Sequence, residues 1–255
     1  MPRPGLSAYF VLTFAITWGL QLPAVVFGPT LLPLAVLGIF GPLAAATFLT
    51  ARAEGVAGLR ALYGRLRPRR EDLRWYAVAL LASPALLAAA LFAMRLVGRS
   101  GDIVLHRGAP TLVVGLVVSF AEEVGFRGYA LPRMRERFGA ALGSALLGVV
   151  WLVWHLPMFL GQGIGPSFMV PMLWMFVGGS LLFTWLDART SGSLLVAVLA
   201  HLGLHLNNSH AALPADPVPL LCHAIVLAIL GYAALRFDRR AFPEVGFALR
   251  RRAGA

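Results

Sequence analysis

Five acid–base side chains and one arginine in this sequence stand in apolar surroundings at spacings that could build a site. "SFAEEVGFRGYALPRM" (119–134) follows the uncharged run "TLVVGLVV" and carries Glu122, Glu123 and Arg127. His155 lies in "WLVWHLP", and His201 and His205 lie in "LAHLGLHLNN". On a helix Glu123 and Arg127 are i and i+4, so they share a face and can pair. Glu122 is turned about 100° from Glu123 and is left available for another partner. His201 and His205 are also i and i+4 and lie on one face.

A carboxylate with two or three imidazoles suits a site that activates water. In one version Glu122, His155 and His201 bind a divalent metal such as zinc and leave a position open for water. In the other no metal takes part: Glu122 is a general base, and the histidines orient water or donate to an oxyanion. "HLGLH" has no Glu after its first His, so the helix motif of soluble zinc proteases is absent. The base has to come from another helix, and Glu122 qualifies.

These residues need a scaffold, and the composition says which. Of 255 residues, 59% are hydrophobic and only 13% charged, with a mean hydropathy of +0.78. A soluble domain is about half apolar and about a quarter charged. The fold class expected is all-α: a polytopic membrane helix bundle forming a single membrane domain over 1–255. Eight spans of roughly 20 residues are expected: 6–27, 30–51, 75–94, 110–131, 141–161, 167–187, 193–213 and 217–236. Thr111 to Phe120 is about 15 Å of helix, half a bilayer, so the fourth span must run on through both glutamates. Glu122 then lies about 16 Å from the Arg133–Arg137 cluster that marks one surface. On the same rise His155 lies about 16–22 Å deep and His201 about 12 Å deep. Ionisable groups at such depth usually face a protein cavity and serve function.

The formal net charge of +11 does not imply a nucleic-acid partner. All 22 basic residues are Arg, and they cluster between the apolar runs, as in loops facing anionic lipid. With the N-terminus in the cytoplasm, 18 arginines fall inside and only Arg95, Arg99 and Arg107 outside, with Arg127 within a span. The expected topology is therefore N-in and C-in, in the inner membrane of a bacterium. "GLRALYGRLRPRRE" reads as a basic amphipathic piece on the inner surface. The one cysteine, Cys222, excludes an internal disulfide. The apolar N-terminal stretch is long and lacks a clear small-residue cleavage site, so an uncleaved first span is expected.

In order, these motifs resemble the CPBP intramembrane proteases, also called Abi or type II CAAX prenyl endopeptidase-like proteins. "EEVGFRG" matches EExxxR at Glu122, Glu123 and Arg127, continuing through Gly128. "WLVWH" matches FxxxH at His155, with Trp151 at the aromatic position. "TSGSLLVAVLAHLGLH" keeps a turn at Ser191–Ser193 and His201 of HxxxN, with His205 where the family has Asn. Asn207 and Asn208 lie off that helix face. The resemblance covers about 110–210, the expected catalytic core.

The resemblance implies an endopeptidase cutting a membrane-associated protein or peptide within the bilayer. Glu122 would activate water, alone or on a metal. His155 and His201 would bind the metal or stabilise the oxyanion, Glu123 with Arg127 would hold the helix, and His205 would complete the polar ring. A non-catalytic scaffold or immunity factor and a proton-coupled transporter are the rival readings. His106, His210 and His223 match no motif and are expected in loops or at span ends.

Overall fold

The computed structural model of the chain describes residues 5–96, 98, 109–206 and 218–238. Arg3, Arg99, His106, Arg107, Asn207, Asn208, His210 and the arginines beyond Asp238 lie outside the described residues. Each apolar run becomes a helix, because backbone polar groups in lipid must be satisfied within the segment itself. Among the described residues there is no β-strand. The helices are α1 (Leu6–Phe27), α2 (Leu32–Gly38), α3 (Gly41–Gly64), α4 (Leu73–Leu96), α5 (Ala109–Glu123), α6 (Leu131–Phe138), α7 (Ala140–Gly161), α8 (Met169–Arg189), α9 (Leu194–Leu206) and α10 (Val218–Phe237). The chain is a polytopic helical bundle.

Among the described residues, six helical segments are long and apolar enough to cross a membrane. The other two expected spans are built differently. α5 has 15 residues but continues through a π-helical segment, Val124–Ala130, into α6. Of the expected 193–213 span, α9 accounts for Leu194–Leu206, and residues 207–213 lie outside the described residues. The expected 30–51 span is also divided. It begins as a 3₁₀ turn and α2, and restarts as α3 at Gly41, beside Pro42. α3 then runs past residue 51 to Gly64, with a break at Gly55 where φ is +61°. Only glycine adopts that conformation readily.

Large apolar side chains such as Val11, Phe92 and Ile229 point outward, while polar ones turn inward. That inversion suits a lipid surround, where helices associate through small and hydroxyl residues. On α1 the buried stripe is Thr13, Thr17 and Gln21. Thr17 donates to the Gly38 carbonyl at 2.8 Å and accepts from the Trp154 indole at 2.8 Å. Gly148 and Gly178 let backbones approach: a Cβ would stand 2.7 Å from the Phe176 carbonyl oxygen in one case and 2.6 Å from the Ala228 nitrogen in the other. These contacts draw α7, α8 and α10 together. Tyr9, Phe126, Trp151, Trp154 and Phe176 fill the core among the helices that carry the motif residues.

At the end where α3 finishes, Arg65 clamps three elements. Its Nη2 pairs with Asp187 at 3.0 Å, its Nε donates to the Gly192 carbonyl at 2.6 Å, and its Nη1 donates to the Gly128 carbonyl at 3.1 Å. Arg135 takes the other Asp187 oxygen at 2.7 Å. The turn before α9 has positive φ at Ser191 (+47°) and Gly192 (+78°). The Leu194 amide then donates to the Arg65 carbonyl at 2.9 Å, which fixes where α9 starts and so the height of His201.

Candidate active site

The site begins where a helix cannot stay regular. Pro132 is the second residue of α6. In an α-helix its N–H would donate to the Gly128 carbonyl; proline has none, and its ring crowds that oxygen. The preceding turns widen to π geometry over Val124–Ala130, and Arg65 supplies the donor that Gly128 lacks. π segments of this kind recur at functional sites. Gly125 makes the widened turn fit, since a Cβ there would stand 2.5 Å from Pro42 Cβ and 2.6 Å from the Tyr9 hydroxyl.

The two adjacent carboxylates, both buried, face different neighbours. Glu123 Oε1 accepts from Arg127 Nη1 at 2.9 Å, the i,i+4 pair expected from the sequence. Arg127 is 1% exposed, and its guanidinium lies 4.2 Å from the Trp151 ring centroid and 4.1 Å from that of Phe183. Such stacking is favoured over aromatic faces, above all when desolvated. Glu122 turns the other way. Its Oε2 accepts from the Trp151 indole N–H at 2.6 Å, and its Oε1 lies 3.8 Å from His155 Nε2.

The histidines come in from α7 and α9. His155 Nδ1 meets the Trp151 carbonyl at 2.9 Å, one helical turn back, so Nε2 is the nitrogen turned to Glu122. Phe159 and Phe176 lie against its ring at 5.5 and 4.9 Å. His201 Nδ1 meets Glu123 Oε1 at 2.8 Å. The sequence placed His201 with Glu122; the structure attaches it to the other glutamate. His205 stacks on His201, with ring centroids 4.9 Å apart and planes 6° from parallel. Gly115 of α5 gives it room: a Cβ there would lie 3.2 Å from His205 Cβ.

Glu122, His155, His201 and His205 all line one cavity of about 220 Å³. The structure therefore brings the motif residues together: Glu122, His155, His201 and His205 on the cavity wall, and Glu123 and Arg127 behind it, joined to the wall through His201. Among the described residues no three of His, Cys, Asp and Glu are grouped so as to hold a metal ion. The Glu122, His155 and His201 donors are divided between two carboxylates rather than converging on one point.

Two lining residues went unread in the sequence. His223, expected in a loop or at a span end, lies within α10, is buried and lines the same cavity. Its isolation in an apolar run was the available signal. Trp151, at the aromatic position of the FxxxH motif, does more than supply a ring: its N–H binds the Glu122 carboxylate. The signal was there in the residue type, since phenylalanine has no such donor.

Residues 105–207 match the family described as "Type II CAAX prenyl endopeptidase Rce1-like". That segment carries Glu122, Glu123, Arg127, His155, His201 and His205. The match agrees with the resemblance to the CPBP intramembrane proteases over this core. The chain is also 26% identical over 147 residues to "CAAX prenyl protease 2" of Methanococcus maripaludis. That alignment covers 53% of this chain and 52% of the relative, so the chain spans about half the length of the curated relative it matches.

Proposed function

We propose that this chain is an intramembrane endopeptidase of the CPBP kind in which Glu122 activates water. The observation that carries the proposal is the setting of Glu122: a buried carboxylate on the cavity, with one oxygen held by Trp151 and the other 3.8 Å from His155 Nε2. That gap is too long for a direct hydrogen bond and suits a bridging water.

Glu122 takes a proton from this water as its oxygen attacks the peptide carbonyl carbon. Charge develops on the carbonyl oxygen; His205 on the cavity wall can donate to it, and so can His201 in the imidazolium form that Glu123, accepting from its Nδ1, supports. The C–N bond then breaks, and the proton held by Glu122 passes to the leaving amine. His155 orients the water. Glu123 and Arg127 hold the widened helix and, through Glu123, the ring of His201. His205 replaces the family asparagine as an imidazole that still offers a donor.

The substrate class is a membrane-associated protein or peptide. The names of the matching family and of the archaeal relative make a C-terminally prenylated chain the first candidate. By the arginine distribution, Arg133 and Arg135 mark the cytoplasmic face, in a bacterial inner membrane with both termini inside. The second reading, a divalent metal at Glu122, His155 and His201, draws on one observation: each histidine is oriented through Nδ1, by a carbonyl or a carboxylate, as metal-binding histidines are. Activity that a chelator removes and zinc restores would favour it.

The test compares protein termini in membranes from cells carrying wild type or Glu122→Gln at matched levels. Termini present only with the wild type are expected and would name the substrate. Identical sets would overturn the protease reading in favour of a scaffold.

A further inference from the structure

We infer that Trp151 is a positioning residue for this reaction: its indole N–H fixes the carboxylate of Glu122, and its ring face covers the guanidinium that fixes Glu123. The inference rests on the protease reading and deepens it, because it says what separates the tasks of two adjacent glutamates.

A glutamate carboxylate rotates in a broad two-fold well, so burial alone does not set where its oxygens lie. Trp151 sets them. The 2.6 Å contact to Oε2 is a charge-assisted hydrogen bond, about twice as strong as a neutral one. With Oε2 held, Oε1 is the oxygen that meets His155. The same indole lies over Arg127 at 4.2 Å, and Arg127 holds Glu123, which holds His201. The Trp151 carbonyl also takes Nδ1 of His155. One residue thus touches both carboxylate systems and, through its backbone, His155 on the cavity wall.

Packing does not account for this choice of residue. The ring contacts of Trp151 with Phe176 at 4.6 Å and His201 at 5.3 Å need an aromatic face, which phenylalanine would provide. Only the N–H needs tryptophan. Trp151→Phe is therefore the informative change, since it keeps a ring in the core and removes the donor.

Two readouts test the role. The first needs no substrate. With indole-¹⁵N tryptophan in lipid nanodiscs, the chain gives up to six indole N–H resonances, one for each tryptophan. The one missing in Trp151→Phe is that of Trp151. It is expected to move upfield in Glu122→Leu more than any other; an unmoved resonance overturns the proposal. The second uses a fluorogenic peptide ending in a farnesylated cysteine and three further residues. Trp151→Phe is expected to lower kcat about 10- to 100-fold while KM changes by less than about threefold. Undiminished kcat in Trp151→Phe overturns the positioning role even if the resonance moves. Full cleavage by Glu122→Gln overturns the assignment of Glu122 as the water-activating base instead, while a shifted resonance still upholds the hydrogen bond. If the wild type leaves this peptide intact, the spectra alone decide.

Discussion

Glu122 and Glu123 are neighbours in sequence with opposite surroundings, and their substitutions separate accordingly. Glu123 is one end of a buried ion pair, and removing one partner of such a pair costs about 3–5 kcal/mol, because the other charge is left uncompensated. Arg127→Met should therefore lower the thermal midpoint in detergent steeply or abolish the folded yield. Glu122→Gln should melt close to wild type, since the amide oxygen can still accept from Trp151. Tryptophan fluorescence melts check both; an Arg127→Met protein as stable as wild type would contradict the structural role. Much of this was legible from residue types. Helix spacing alone gives the Glu123–Arg127 pair and turns Glu122 away from it. The partner of His201 was not legible: matching depth along the membrane normal says nothing about how α9 is rotated about its axis, and that rotation puts Nδ1 on Glu123.

At the scale of elements, the decisive feature is the π segment between α5 and α6. Its cause is written in the chain, at Pro132 and in the glycines of "VGFRG". Its consequence depends on Arg65, some sixty residues earlier, reaching the carbonyl that proline leaves without a donor. Spans read from hydropathy follow the observed helices closely for α1, α4, α7, α8 and α10. They fail at α2 and α3, because a 3₁₀ turn and a restart at Gly41 leave the run uniformly apolar. Gly125 offers the test of the π segment. Its missing Cβ lets the segment lie against Pro42 and Tyr9, and there is no flexible side-chain end on the Pro42 side to move away. Gly125→Ala should destabilise the protein by about 1–3 kcal/mol, the usual range for overpacking, and reduce cleavage through displacement of Glu122. Thermal midpoint and cleavage rate, measured together, check this; a variant unchanged in both would show that the close approach is not needed.

Across the whole molecule, the bundle holds a cavity lined by Glu122 and four histidines inside a body whose large exposed side chains are apolar. Composition makes that architecture plain, because nothing else explains so few charges and so many apolar runs. Three separate helices have to deliver α5's carboxylate and the imidazoles of α7 and α9 to one volume, and the clamp at Arg65, Asp187 and Arg135 sets their heights from one end. The central claim is that Glu122 drives water onto a peptide bond in this cavity. The most direct measurement is hydrolysis in H₂¹⁸O by purified protein in nanodiscs, with a substrate identified from the termini comparison and product masses read by mass spectrometry. We predict one ¹⁸O in the new carboxyl group with the wild type, and product formation reduced at least about 100-fold in Glu122→Gln. Equal product from both proteins would contradict the account.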